Sequence, residues 1–364
     1  MKIDYANLKI AYQAHQKEFD RAIEKVLTSA QYIMGPEVTE LEDKLTQFTK
    51  AKHAISCSSG TDALLLALMA IDVGPGDEVI TSPFTFISTA ETIALLGATP
   101  VFVDIKEDSY NMDTDQVEAK INEKTKTILP VSLFGQVADI NEINQIADKY
   151  QLPVIEDAAQ SFGASYRGEK SCSLTTLACT SFFPAKPLGC FGDAGAVFTN
   201  NSQLSEKISS LRLHGQSNRY EHQYIGLGAR MDTLQAAILS VKMDYYEVDI
   251  KNRQKVAGKY DKLLSGVIKT PTVHSFNRSV WAQYSIRMKN REWIQKELSK
   301  KEIPTAIYYP KPLHLQDCFV YLGYKDGDFP ISERVSNQIM SLPMNPYLRE
   351  DEQEYIVKEL ISCL

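Results

Sequence analysis

Apolar positions along the chain follow two spacings, and the changes from one to the other outline the fold. Residues 16–28 and 38–50 carry them at helical spacing, with Gly35 and Pro36 breaking the pattern between the two. From His53 onward, short apolar runs take turns with helical patterns. His53–Cys57 reads as a strand, residues 61–71 as an apolar helix and residues 78–82 as a second strand behind a Gly/Pro turn. Residues 125–132 and Val154–Ile155 read as further strands flanking a helix over 138–150, and residues 176–183 and 195–200 as two more. Strand and helix in alternation predict an α/β fold whose central sheet is mostly parallel and flanked by helices.

After a helix over 202–215 comes a polar, glycine-rich segment, 216–232, too long to be a simple connection. A long helix follows from Asp232, with Asp232 and Gln235 spaced as a capping box and Leu234, Ile238, Val241, Tyr245 and Val248 on one face. Beyond about Ser265 the character changes. A strand candidate over 281–288, a charged amphipathic helix over 290–303, an extended proline-containing run over 304–316 and a terminal helix over 350–364 suit a smaller α+β unit. The division expected is a large domain over 15–250 and a small C-terminal domain over 251–364, with residues 1–14 free to pack on the latter.

Composition narrows the classes. In 364 residues with 44% hydrophobic side chains there is ample material for a core, and a net charge of −7 without like-charge blocks argues against a nucleic-acid or anionic-membrane surface. The charged first residues, the lack of any apolar run of spanning length and six cysteines without CxxC spacing point to a cytoplasmic chain with reduced thiols and no zinc site.

Three stretches carry chemistry. Lys186 lies among Phe182, Phe183, Pro184 and Leu188, with glycines at 189, 192 and 195 forcing turns after it. Desolvation there would lower the amine's pKa and favour nucleophilic or Schiff-base work, although lysines beside such turns also mark ordinary surface loops. The Val154–Ile155 strand ends in Glu156 and Asp157, where open α/β sheets build sites; Asp157 suits a buried acid and equally an N-cap of the next helix. The turn Ser58–Gly60 opens an apolar helix, so its first amides suit phosphate, as they also suit any strand–helix turn.

Together these stretches resemble a known family. The runs Ser59–Leu64, Glu156–Ala164, Ser181–Asn200 and Arg230–Leu239 look like the DegT-type nucleotide-sugar aminotransferases, enzymes of the pyridoxal phosphate (PLP) fold type I, and the likeness extends from about Tyr32 to the C-terminal region. The resemblance implies PLP held by Lys186 as an internal aldimine, its phosphate in the Gly60–Thr61–Asp62 turn with Ser181, its ring nitrogen on Asp157, its hydroxyl near Gln160 and its face on Phe86. For Phe86 the alternative is a core ring. It implies glutamate as amino donor, pyridoxamine phosphate (PMP) as intermediate, a keto-sugar nucleotide as acceptor and a homodimer whose 216–232 loop enters the partner's site. Arg230, Tyr309, Lys311 and His314 become candidate substrate contacts, with a structural ion pair for Arg230 and a surface position for His314 as the alternatives. The lysine block looks most like the subgroup acting on 3-oxo sugars, including UDP-2-acetamido-2-deoxy-3-oxo-glucuronate; a 4-oxo hexose nucleotide and a non-catalytic regulatory homologue are the alternatives. Lysine at 186 argues against the family's dehydratases, which resemble this chain but carry histidine there. One departure stands out: glycine at 228 replaces the asparagine expected to reach the partner's cofactor phosphate.

Overall fold

Two blocks of strands meet edge to edge in the computed structural model, which describes residues Met1–Leu364. The strands are β1 (His53–Cys57), β2 (Glu78–Thr81), β3 (Thr99–Phe102), β4 (Thr125–Ile128), β5 (Ile155–Asp157), β6 (Leu177–Ser181) and β7 (Gly195–Thr199). One block runs β3-β2-β4 and the other β5-β6-β7-β1, and parallel bridges Ile128–Val154 and Val131–Asp157 join them. Every neighbour is parallel except β7, which is antiparallel to both β6 and β1. The mostly parallel sheet expected from the sequence is therefore present.

The strands read as continuous apolar runs because both faces are covered. Successive residues go to opposite sides: Phe198 and Ala178 join a cluster with Leu41, Phe162 and Tyr246, while Val197 and Leu177 join one with Leu64, Leu68 and Ile208. Helices α1 (Leu8–Ala14), α2 (Gln16–Ser29), α3 (Pro36–Thr49), α4 (Gly60–Ala70), α5 (Ser88–Leu95), α6 (Ile140–Lys149) and α7 (Ser202–Leu211) are followed by α8 (Thr233–Leu264), 32 residues long. Helix α8 leaves the sheet's first cluster at Ile250 and enters another through Val256, Tyr260 and Leu264. There the antiparallel pair β8 (Tyr284–Arg287) and β9 (Ile339–Leu342) packs with α9 (Arg291–Lys300) and α11 (Glu350–Ile361); α10 (Pro330–Gln338) leads into β9. Ile3 is part of this cluster, and its amide donates to the Glu302 carbonyl at 3.2 Å.

Three local readings need correction. Residues 8–14 form a helix the pattern did not announce, because none of its side chains is buried. Helix α8 buries Ala236, Leu239, Tyr246, Ile250 and Arg253 and leaves Val248 55% exposed, since it packs against α3 and α2 along one flank and α11 further on. Its capping box is absent: the Asp232 side chain makes no cap bond, and Gln235 accepts from the Phe191 amide at 2.9 Å instead.

The start of β7 passes so close to the β1–α4 turn that a Cβ on Gly195 would overlap the Ser59 carbonyl. Gly195→Ala should therefore destabilise the protein by about 2 kcal/mol through overpacking and disturb the turn; urea unfolding of the variant measures the first effect.

Candidate active site

The C-terminal ends of β1, β5 and β6 converge on one spot, and each delivers a different chemical group there. After β1 the chain turns into α4, whose N-cap Ser59 accepts from the Asp62 amide at 3.0 Å. Ser58 and Ser59 hydroxyls donate back to Asp62 Oδ2 at 2.5 and 2.8 Å, and the Ala63 amide takes the Ser59 carbonyl. The Gly60 and Thr61 amides are left as donors at the positive end of the helix, an arrangement that attracts an anion. Ser181, the last residue of β6, abuts them: a Cβ on Gly60 would sit 2.6 Å from the Ser181 Cβ. Asp62, expected among the anion-binding residues, serves the cap instead, because its amide and carboxylate are already engaged.

Asp157 ends β5 and is 4% exposed. Its Oδ2 accepts from Thr89 Oγ1 at 2.8 Å and its Oδ1 from the Ala159 amide at 3.1 Å. Burial raises its pKa, and these two bonds and the Lys186 charge work against that rise. Lys186 is half-buried and its amine lies deep among protein atoms, so desolvation pushes its pKa below the ordinary lysine value; Asp157 opposes this as a nearby charge, with no hydrogen bond between them. The site thus holds a carboxylate and an amine that feel each other's field while the amine's lone pair is more accessible than a surface lysine's.

Gln160 is buried beside them. Its Oε1 accepts from the Phe134 amide at 2.8 Å and its Nε2 donates to Tyr309 Oη at 3.1 Å. Burial raises the Tyr309 phenol, with Asp157 adding to the effect. Phe86 is 54% exposed, its ring 6.1 Å from that of Tyr309, whereas Phe84 is 1% exposed and belongs to the core. An aromatic face left open beside two free amides and a desolvated amine fits a flat, phosphorylated aldehyde.

The other candidates lie differently. His314 is 1% exposed, pairs through Nε2 with Glu333 at 2.9 Å and packs on Phe329, so its ring is turned into the protein and presents no face to a substrate. Lys311 reaches away to the exposed Asp317 at 3.1 Å. Arg230 is half-buried at the end of the 216–232 loop, near the site because the Ala229 carbonyl accepts from the Ser58 amide. Beside it, the space over Gly228 is taken by His214, whose Nε2 would be 3.0 Å from a Cβ at 228. The sequence reading missed Thr89, which sits on the first turn of α5 with Thr85 hydroxyl 3.0 Å away; a threonine in the first turn of the helix that follows the β2 strand end and its loop was the available signal. It also missed that Tyr309 braces Gln160, which depends on the C-terminal unit folding back.

Comparison with known proteins agrees with this geometry. The chain is 53% identical, over 95% of its length and 96% of the relative's, to UDP-2-acetamido-2-deoxy-3-oxo-D-glucuronate aminotransferase of Pseudomonas aeruginosa. It is 43% identical, over 99% of its length and 98% of the relative's, to a pleiotropic regulatory protein of Geobacillus stearothermophilus. The crystal structure of NtdA from Bacillus subtilis with bound cofactor PMP superposes with a TM-score of 0.92 at 30% identity, covering 99% of this chain and 85% of that one. Residues 13–361 match the DegT/DnrJ/EryC1/StrS aminotransferase family, and this chain belongs to that family.

Proposed function

We propose that this chain is a PLP-dependent aminotransferase that moves the amino group of L-glutamate to a keto-sugar nucleotide, UDP-2-acetamido-2-deoxy-3-oxo-D-glucuronate or a closely related 3-oxo sugar, for surface polysaccharide synthesis. The observation that carries the reading is the juxtaposition of a desolvated Lys186 amine and a buried Asp157 beside the free amides of α4. The choice of sugar is supported by the 53% identity to the Pseudomonas enzyme.

In this reading the Gly60 and Thr61 amides and Ser181 would hold the cofactor phosphate, Phe86 would stack on the ring and Gln160, braced by Tyr309, would serve the ring hydroxyl. When bound, PLP supplies an electron sink for the carbon that loses a proton. Lys186 would hold the cofactor aldehyde, and its amine is the group that would take a proton from the reacting carbon and return it, as base and then acid. Its depressed pKa keeps a larger share of the amine unprotonated near neutral pH. Asp157 would face the ring nitrogen and favour its protonated form, while Thr89 and the Ala159 amide fix the carboxylate's orientation. Arg230 is the anion-recognising side chain for a uronate or diphosphate. The likeness to a regulatory protein keeps a second reading in play, but a site with a lysine amine poised by burial favours chemistry.

The organisation proposed with it is a large domain over 15–250 and a small one over 251–364, meeting within α8, in a cytoplasmic homodimer without nucleic-acid or membrane partners. The dimer is supported by the 216–232 loop, where Tyr220 is 78% and Ile225 92% exposed, apolar surface that a second copy would cover. No helix is long and apolar enough to cross a membrane.

Borohydride treatment in the presence of PLP should add the cofactor's mass to the peptide carrying Lys186 and to no other; Lys186→Ala should leave that peptide unlabelled and abolish turnover. Asp157→Asn should cut turnover by at least about a hundredfold. The same variant has a signature without cofactor. The raised Asp157 pKa means the cofactor-free protein loses stability as pH climbs from the ordinary aspartate value of 3.8 through the native one, so Asn should flatten that loss and raise the melting temperature at neutral pH. For the shared site, Ile225→Glu should give monomers by light scattering, with turnover lost alongside.

A further inference from the structure

The loop that carries Lys186 is closed by its own backbone. The Lys186 amide donates to the Phe183 carbonyl and the Cys190 amide to the Phe182 carbonyl, both at 2.8 Å. Its returning limb is packed so tightly that a Cβ on Gly189 would lie 2.5 Å from the Pro184 carbonyl oxygen and 2.6 Å from that of Phe183. These bonds set the shape of the loop but do not attach it to the rest of the fold.

Phe182, Leu188 and Cys190 anchor it in the core, and α8 holds the polar side of its returning limb. Gln235 accepts from the Phe191 amide, and one turn pair further along, Lys242 Nζ donates to the Gly189 carbonyl while lying 4.9 Å over the Phe191 ring. Lys242, Asp249 and Arg253 share a cavity wall with Lys186, and His15 closes it from the start of α2. Resting on the aminotransferase reading above, we propose that Lys242 is a positioning residue: its tether to Gly189, three residues beyond Lys186, fixes the loop and so the place of the Lys186 amine relative to Asp157.

The surroundings of Lys242 agree with a structural task for its proton. Burial lowers its pKa to about 8, opposed by Cys190 and Asp249, so below that pH the bond to Gly189 is made by an ammonium and is charge-assisted. No carboxylate bonds directly to this amine, so the loop carbonyl is its acceptor rather than a bystander to an ion pair. Loss of the donor would leave the Gly189 carbonyl facing the cavity and free the limb between the tight turn at Gly189 and the Gln235 contact.

The test compares Lys242→Met, which keeps the stem and removes the donor, with Lys242→Arg, which keeps a charged donor. In the full-length protein, amide exchange read by mass spectrometry should speed up about tenfold or more across residues 183–191 in the Met variant, the fold-change of one lost charge-assisted bond. Sheet peptides such as 195–199 should be unchanged. In the loaded enzyme kcat should fall by a similar factor with KM for both substrates within about twofold, and Arg should restore loop protection to within about threefold of the native value. Native-like loop exchange in the Met variant overturns the proposal. So do a uniform loss of protection across the sheet, a loss confined to KM, and failure of Arg to restore the loop.

Discussion

Taking Asp157 and Lys186 out of water together is the constraint on which the rest of the structure depends. Each charge alone would be penalised: burial pushes the carboxyl up and the amine down, toward neutral forms. The fold holds the carboxylate with Thr89 and the Ala159 amide and leaves the amine without a hydrogen bond to it. An ion pair in direct contact would hold the amine protonated and occupy its lone pair. Separation within reach of each other's field keeps the two poised, and that separation is a property of β5, β6 and the loop after β6 rather than of either residue.

The architecture follows from meeting this demand. Parallel strands end at one edge of the sheet, so Cys57, Asp157 and Ser181 open into the same space. Helix α4 begins there because Ser59 caps it, which frees two amides for an anion and assigns Asp62 to the cap. The unit beyond α8 returns Tyr309 to Gln160, closing the site from a distance of 149 residues in sequence. Helix α8 is the strut: its first half supports the lysine loop through Gln235 and Lys242, and its second half carries the smaller cluster around Tyr260 and Tyr284.

The parts legible in sequence were those set by local pattern. Strand runs such as Leu177–Ser181 and the glycine-punctuated turn after them are written in residue type, and so is the likeness that joins Gly60, Asp157 and Lys186. What was not legible depends on where side chains point once distant segments meet. His314 and Lys311 occur in the same short stretch as Tyr309, yet one turns inward to Glu333, one turns outward to Asp317, and only Tyr309 reaches the site. The Asp232–Gln235 spacing fits a capping box, but Gln235 found a better partner in the Phe191 amide. Gly228 looked like a lost contact; the structure fills the place with His214, which spacing alone could not indicate.

The claim that this site transfers nitrogen is tested most directly by following the atom. Isotopically labelled L-glutamate, the PLP-loaded protein and UDP-2-acetamido-2-deoxy-3-oxo-D-glucuronate would be incubated together and the nucleotide sugar analysed by mass spectrometry. The account predicts that the label appears as a new amine on the sugar, in the native protein and not in Lys186→Ala. A sugar recovered without labelled nitrogen, from protein shown to carry PLP on Lys186, would contradict it.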